Sequence, residues 1–451
     1  MNRVFSKSIL FSLLLLITSL QTQAQQVLPL REQAKVIDEI LDERLNLLLP
    51  RLMEKTGIDM WVMITREYNE DPIVRTFLPA TWISARRTTM LVFYYNPVTK
   101  EYTKSAVARY NVGSSIKAAW DMTKYPDQYD ALMAIVQQHN PKKIGINTSA
   151  SYGHADGLDH TAYEQFMQKL PAKFKSSVVS AEPLAVAWLE TRIEREMQIY
   201  PQVVDISKAI IAEGFSSKVI TPGITTSEDL VWWYRQKINQ LGLSTWFHPS
   251  VEIQRNDATA FDHLKAFSNK GHDAKNIIQQ GDLLHVDFGI TYLRLNSDIQ
   301  EHAYVLKPGE KDAPDYLKNA LATGNRLQDI LTNQFALNKS GNAILKDALS
   351  QAKKEGINAT IYTHPIGSHG HAAGPTIGMW DQQNGVPGSG DYPMYYNTAY
   401  SIELNAAVEI KEWNKTIRIM LEQDGYFDQN GFRYISGRQT KLHLVGNAGW
   451  Q

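Results

Sequence analysis

The chain contains no cysteine among its 451 residues. That excludes disulfide staples, thiol proteases, thiolate zinc sites and lipid attachment through an N-terminal cysteine. A chain too long for one compact domain must then be held together by two sizeable cores. Net charge is also scarce, because 46 basic side chains face 47 acidic ones. Bulk electrostatics therefore point neither to nucleic acid nor to an anionic membrane surface. Past residue 24, no apolar run reaches the ~20 residues that a membrane span needs. No repeat with a period of about 20–50 residues is visible. There is no Gly-x-Ser-x-Gly elbow and no His-Glu-x-x-His helix, which removes two common hydrolase types.

The first 24 residues, "MNRVFSKSILFSLLLLITSLQTQA", have a basic start, an apolar centre from Ile9 to Leu20 and small Ala24 before Gln25. This is the layout of a secretory signal peptide cleaved after Ala24. The expectation is an exported protein, periplasmic or extracellular, with no stable membrane insertion after cleavage.

The remainder divides into 25–185 and 186–445. In the first part, "PLREQAKVIDEILDERLNLLLPRLMEKTG" has helical spacing and ends near Gly57. "IDMWVMITR" and "RRTTMLVFYYN" read as strands, "DQYDALMAIVQQHN" as a helix and "KKIGIN" as a short strand, an α/β pattern. His154, Asp156, Asp159 and His160 cluster in "GHADGLDHTAYEQF", which reads as a loop entering a helix capped by Thr161 and Glu164. In the second part, the stretch from Glu182 to Phe215 is helical. Thr225 and Glu228 then announce another helix after a Pro-Gly turn.

"GDLLHVDFGITYLRLNSDIQ" (281–300) poses the chemical question. Leu284, Val286, Phe288 and Ile290 share one strand face, His285 and Asp287 the other. If the chain folds back between Tyr292 and Leu293, Asp287 faces Asp298 across an antiparallel pair, with Cβ atoms roughly 5 Å apart. Two carboxylates so placed repel, and each costs several kcal/mol to desolvate. They must share a proton or hold a cation. Glu403 in "AYSIELNAAV" and Glu422 in "TIRIMLEQD" repeat the anomaly, and "THPIGSHGHAAGPTIG" adds His364, His369 and His371 among small residues. Two Asp, two Glu and a His form an oxygen-rich set suited to two hard or borderline divalent ions.

In order and spacing this set resembles the pita-bread metallopeptidases: methionine aminopeptidase, aminopeptidase P and prolidase. The resemblance spans about 190–445. The extra N-terminal domain is similar to that of aminopeptidase P, prolidase and creatinase. It implies a creatinase-like α/β domain followed by a pita-bread α+β domain with a curved antiparallel sheet. Carried over by position, Asp287, Asp298, His371, Glu403 and Glu422 are the metal ligands. His371 is chosen because "GHAAG" matches Gly-His-x-x-Gly, with His369 as the alternative. His263 and His364 resemble the family's substrate-side histidines, and Glu403 doubles as proton relay. Two departures stand out. The histidine usual seven residues past the ligand would fall on Gly378, and Met420 stands where an Arg usually precedes the last Glu by two.

The implied activity is a two-metal exopeptidase of the Xaa-Pro aminopeptidase type, with Mn2+ the first choice and Zn2+ or Co2+ open. The implied partner is a peptide, with homo-oligomerisation open. An Xaa-Pro dipeptidase and a metal-free binding protein on the same fold are the alternatives.

Overall fold

A computed structural model describes residues 27–258 and 276–446. The expected signal peptide and His263 lie outside the described residues. Within them, no helix is long and apolar enough to cross a membrane.

The first domain opens with helices Leu30–Glu43 and Leu49–Thr56, joined through a wider turn at Arg44–Leu48. Gly57, at φ 68°, ends the second in the left-handed conformation that glycine adopts freely. Six strands follow: β1 (Met60–Arg66), β2 (Thr88–Tyr95), β3 (Tyr102–Ala106), β4 (Lys117–Ala118), β5 (Ile144–Ile146) and β6 (Val178–Ser180). They form one mixed sheet in the order β4-β3-β2-β1-β5-β6. Alternate residues of β1 enter two cores: Trp61 and Met63 one, Met60, Val62 and Ile64 the other. Helix His160–Lys169 is capped by Asp159, which accepts from Ala162 N–H, and not by Thr161.

The long helical stretch expected from Glu182 breaks into Glu182–Glu190 and Glu194–Gly214. Ala185 through Leu189 all pack in the first domain's core. The next helix, Ser227–Gln240, is capped by Thr226 with Asp229, one residue later than expected. The Thr225 hydroxyl is already used by Thr221 N–H.

The second domain contributes β7 (Ser250–Gln254), β8 (Leu283–Phe288), β9 (Thr291–Tyr292), β10 (Leu295–Asn296), β11 (Ile299–Val305), β12 (Asn358–Ile361), β13 (His364–Pro365), β14 (Thr398–Ser401), β15 (Leu404–Ile410), β16 (Lys415–Leu421), β17 (Asp424–Asp428), β18 (Gly431–Tyr434) and β19 (His443–Val445). The main ladders run β19-β11-β8-β7, β12-β15-β16 and β13-β14-β17-β18. Leu284, Val286 and Phe288 pack against helices Glu194–Gly214 and Ser227–Gln240. Leu404, Ala406, Ile417 and Ile419 pack against Asp315–Thr332 and Gly341–Lys354. Helices thus cover the apolar sheet faces and leave the polar faces to a shared interior.

Candidate metal centre

Three of the four carboxylates sit where a strand leaves one ladder and enters the next. Asp298 falls between β10 and β11, Glu403 between β14 and β15, and Glu422 between β16 and β17. Interrupting a ladder at these points lets the sheet bend and turns the side chains inward. A bridge between Gln300 and Glu422, closed by backbone bonds in both directions at 3.0 and 3.3 Å, ties β11 to the end of β16. Glu422 therefore reaches the site without any lengthening of β16.

Asp287 does not face Asp298 directly. Gln300 is its partner, because the hairpin turns between Leu293 and Arg294, one residue later than expected. Both have positive φ, 53° and 63°, a primed-turn geometry that normally calls for Asn or Gly. Tertiary contact sustains it: Arg294 Nη1 donates to Leu78 O in the first domain at 2.7 Å. Asp298 is left diagonal to Asp287, on the same face.

The site side chains nevertheless converge. Ligand atoms of Asp287, Asp298 and Glu422 lie within 4.8 Å of one another, as do those of His364, Glu403 and Glu422 and those of Asp298, His364 and His371. His364 Nε2 stands 3.4 Å from Glu422 Oε1, 3.5 Å from Asp298 Oδ2 and 3.9 Å from Glu403 Oε2. Burial, followed by the charge of Glu422, raises Asp287, Asp298 and Glu403 well above the usual carboxylate range. Burial opposes protonation of His364, but the hydrogen bond and charge of Glu422, with Glu403 behind, push it up to about 9. Asp287 Oδ1 and Asp298 Oδ1 are buried without a hydrogen-bond partner. Unpaired acceptors amid mutually repelling carboxylates are what a pair of divalent cations would satisfy, so the residues present fit the group.

His371 and His364 meet edge to face at 4.7 Å, and Trp246 packs on His371 at 5.0 Å. A Cβ on Gly370 would come within 2.2 Å of the Trp246 ring, so only glycine admits that tryptophan here. His369 turns away from the carboxylates and packs against His154 at 4.6 Å. Arg418 donates to Asn405 at 2.9 Å and forms no ion pair with Glu403.

Two contributions were not visible in the sequence as site residues. His154 and its neighbours Ser151 to Gly153, in the first domain, line the same cavity of about 730 Å3 as the carboxylates. The loop is held there by Tyr152, whose hydroxyl donates to Gly374 O at 3.0 Å. The histidine cluster noticed in that stretch was the only signal. Glu252, His285 and Gln300 also line the cavity. His285 shares the Asp287 face, a readable hint, whereas nothing in the sequence marks Gln300.

The metallopeptidase family M24 matches residues 198–423, half of the chain. No curated protein sequence matches significantly. Among solved structures, the X-Pro aminopeptidase of Thermotoga maritima superposes with a TM-score of 0.61 at 16% identity, covering 88% of this chain and all of the other. The Xaa-Pro dipeptidase of Bacillus anthracis gives 0.56 at 16% identity, over 92% of this chain and all of that one. The N-terminal domain of the FACT complex subunit SPT16 from chickpea gives 0.54 at 11% identity, over 92% of this chain and 99% of its own. Fold, carboxylate–histidine cluster and family match agree: the chain belongs to metallopeptidase family M24, with the pita-bread fold behind a creatinase-like N-terminal domain.

Proposed function

We propose that this protein is a dinuclear exopeptidase that removes the N-terminal residue from peptides, with proline preferred at the second position. The observation that carries the reading is the convergence of Asp287, Asp298, His364, Glu403 and Glu422 with two buried carboxylate oxygens left unpaired.

We assign the ligand histidine to His364 and give the substrate-side role to His371, the reverse of the sequence expectation. His364 is the residue close to three of the carboxylates. "THPIG" and "GHAAG" both contain His-x-x-Gly, and the sequence favours His371 only for the glycine that precedes it. With His364 as ligand, the family histidine seven residues on falls on His371, and the departure at Gly378 disappears.

The bound cations supply electrophilic polarisation of the scissile carbonyl and acidify a water molecule towards a pKa of about 7. The protein does the rest. Glu403, partly exposed to the cavity, carries the proton from the attacking water to the leaving nitrogen. His371 donates to the oxygen of the scissile carbonyl as charge develops there. Trp246, Phe247 and Trp380 line the cavity and limit its water. The oxygen-rich set favours Mn2+, with Zn2+ or Co2+ the substitutes. From the signal-like start of the sequence we infer an exported enzyme.

An Xaa-Pro dipeptidase is the second reading, favoured by the Bacillus anthracis likeness. The deciding experiment offers Xaa-Pro dipeptides, longer Xaa-Pro peptides and Xaa-Ala controls to the purified protein, with and without chelator. Release of the first residue from the longer Xaa-Pro peptides, lost on chelation, is the expected result. Cleavage of dipeptides alone supports the second reading, and chelator-insensitive turnover removes both.

A further inference from the structure

We propose that Gln300 is a positioning residue for the two glutamates of the metal centre, itself aimed by His285 and Glu252. The inference rests on the metal-site reading above and extends it to residues that bind no cation.

Gln300 is 3% exposed and its backbone is fixed by the reciprocal bonds to Glu422. Its side-chain amide donates to Glu403 Oε1 at 2.6 Å and to Glu422 Oε2 at 2.9 Å. One NH2 group thus engages one oxygen of each glutamate. Glu403 Oε2 and Glu422 Oε1 are left turned towards His364, at 3.9 and 3.4 Å. The clamp decides which oxygen of each carboxylate faces the centre. A neutral donor suits this position. It eases the repulsion between two carboxylates without adding the positive charge that Lys or Arg would set against a bound cation.

An amide can present either end, and the surroundings select one. Gln300 Oε1 lies 3.0 Å from His285 Nε2. With the NH2 committed to the carboxylates, His285 must carry its proton on Nε2 and donate it to Gln300. The other ring nitrogen, Nδ1, meets Glu252 Oε2, and Glu252 Oε1 accepts from the Ser250 hydroxyl at 2.9 Å. The chain Ser250–Glu252–His285–Gln300 runs from β7 across β8 to β11 and ends on the metal-binding glutamates. Such outer partners orient ligands, and removing one typically lowers metal affinity about 10–100-fold.

The test titrates metal-free wild type, Gln300→Met, His285→Leu and the double variant with Mn2+, and in parallel with Zn2+, by calorimetry. Circular dichroism and thermal melts confirm folding. Gln300→Met, of similar volume, is expected to bind about 10–100-fold more weakly with its metal-free melting little changed. His285→Leu is expected to weaken binding in the wild-type background and to add nothing once Gln300 is Met, because His285 acts only through Gln300. Affinity in Gln300→Met within twofold of wild type overturns the proposal. So does an undiminished effect of His285→Leu in the Gln300→Met background. A wild type that takes up neither ion overturns the metal-site reading and this inference with it, a result distinct from the other two.

Discussion

Replacing Asp298 by Asn is predicted to stabilise the metal-free protein while destroying its response to metal. Asp298 is 3% exposed and lies within 4.8 Å of Asp287 and Glu422. At an effective dielectric constant near 20, one like-charge pair at that distance costs about 3–4 kcal/mol. Two such pairs exceed the cost of protonating a carboxyl at pH 7.5, about 5 kcal/mol, so protonation caps the penalty. An Asn avoids it and can donate to Glu422, so the expected gain is about 1–4 kcal/mol at pH 7.5. The sign with pH follows from the raised Asp298 pKa. Below the ordinary Asp range the carboxyl is protonated in both folded and unfolded chains, so the gain vanishes near pH 4. It grows as pH rises. Metal works against this gap: a hundredfold excess of cation over Kd stabilises wild type by about 2.7 kcal/mol and leaves the variant unchanged. Urea denaturation at pH 4 and 7.5, with chelator or Mn2+, reads all four arms. A variant less stable than wild type in chelator at pH 7.5 would refute the reasoning.

Other outcomes follow from the domain junction and the cavity wall. Glu196, 3% exposed, joins Arg44 at 2.7 Å and Arg192 at 2.9 Å. Glu196→Ala strands two buried guanidinium groups and should cost about 3–5 kcal/mol in urea unfolding; a loss under 1 kcal/mol would contradict the buried network. Burial pushes Glu190 up to about 8 against the opposing hydrogen bond from Tyr392. Its carboxyl is neutral when folded but ionises on unfolding above the ordinary Glu range, so stability is lost from about pH 4.5 up to pH 8. Glu190→Gln should therefore gain on wild type by a few kcal/mol between pH 5 and 8.5, and an unchanged difference would speak against it. His154→Ala should raise KM several-fold with kcat little altered, since His154 lines the cavity without joining the carboxylate–histidine groups; a fall in kcat alone would place it nearer the chemistry.

Much of the architecture could be read from local chemistry. Gly57 ends its helix as expected, a continuous apolar run marked β1 and alternating apolar residues marked β8. Helix starts were one or two residues off where a competing hydroxyl or carboxylate took the cap, as at Thr226 and Asp159. The hairpin register escaped because Leu293 and Arg294 hold a turn that neither favours alone, sustained by Leu78 some 200 residues away in sequence. The carboxylates could be found because burial of charge is costly wherever the strands lie. Among the histidines, Gly-His-x-x-Gly ranks His371 first, although two His-x-x-Gly strings follow one another and the distances to the carboxylates are legible only in the fold. His154 required knowledge of how the two domains meet. Gln300 required the bridge to Glu422, and an uncharged amide raises no alarm in a strand pattern.

The account stands most directly on metal content. Counting ions in the purified full-length protein, by elemental analysis after exhaustive dialysis against metal-free buffer and reloading, should give two divalent ions per wild-type chain. Glu422→Ala should retain less than one, because Glu422 belongs to both carboxylate groups of the site. A folded wild type that retains none after reloading, or a Glu422→Ala variant that still holds two, would contradict the central claim.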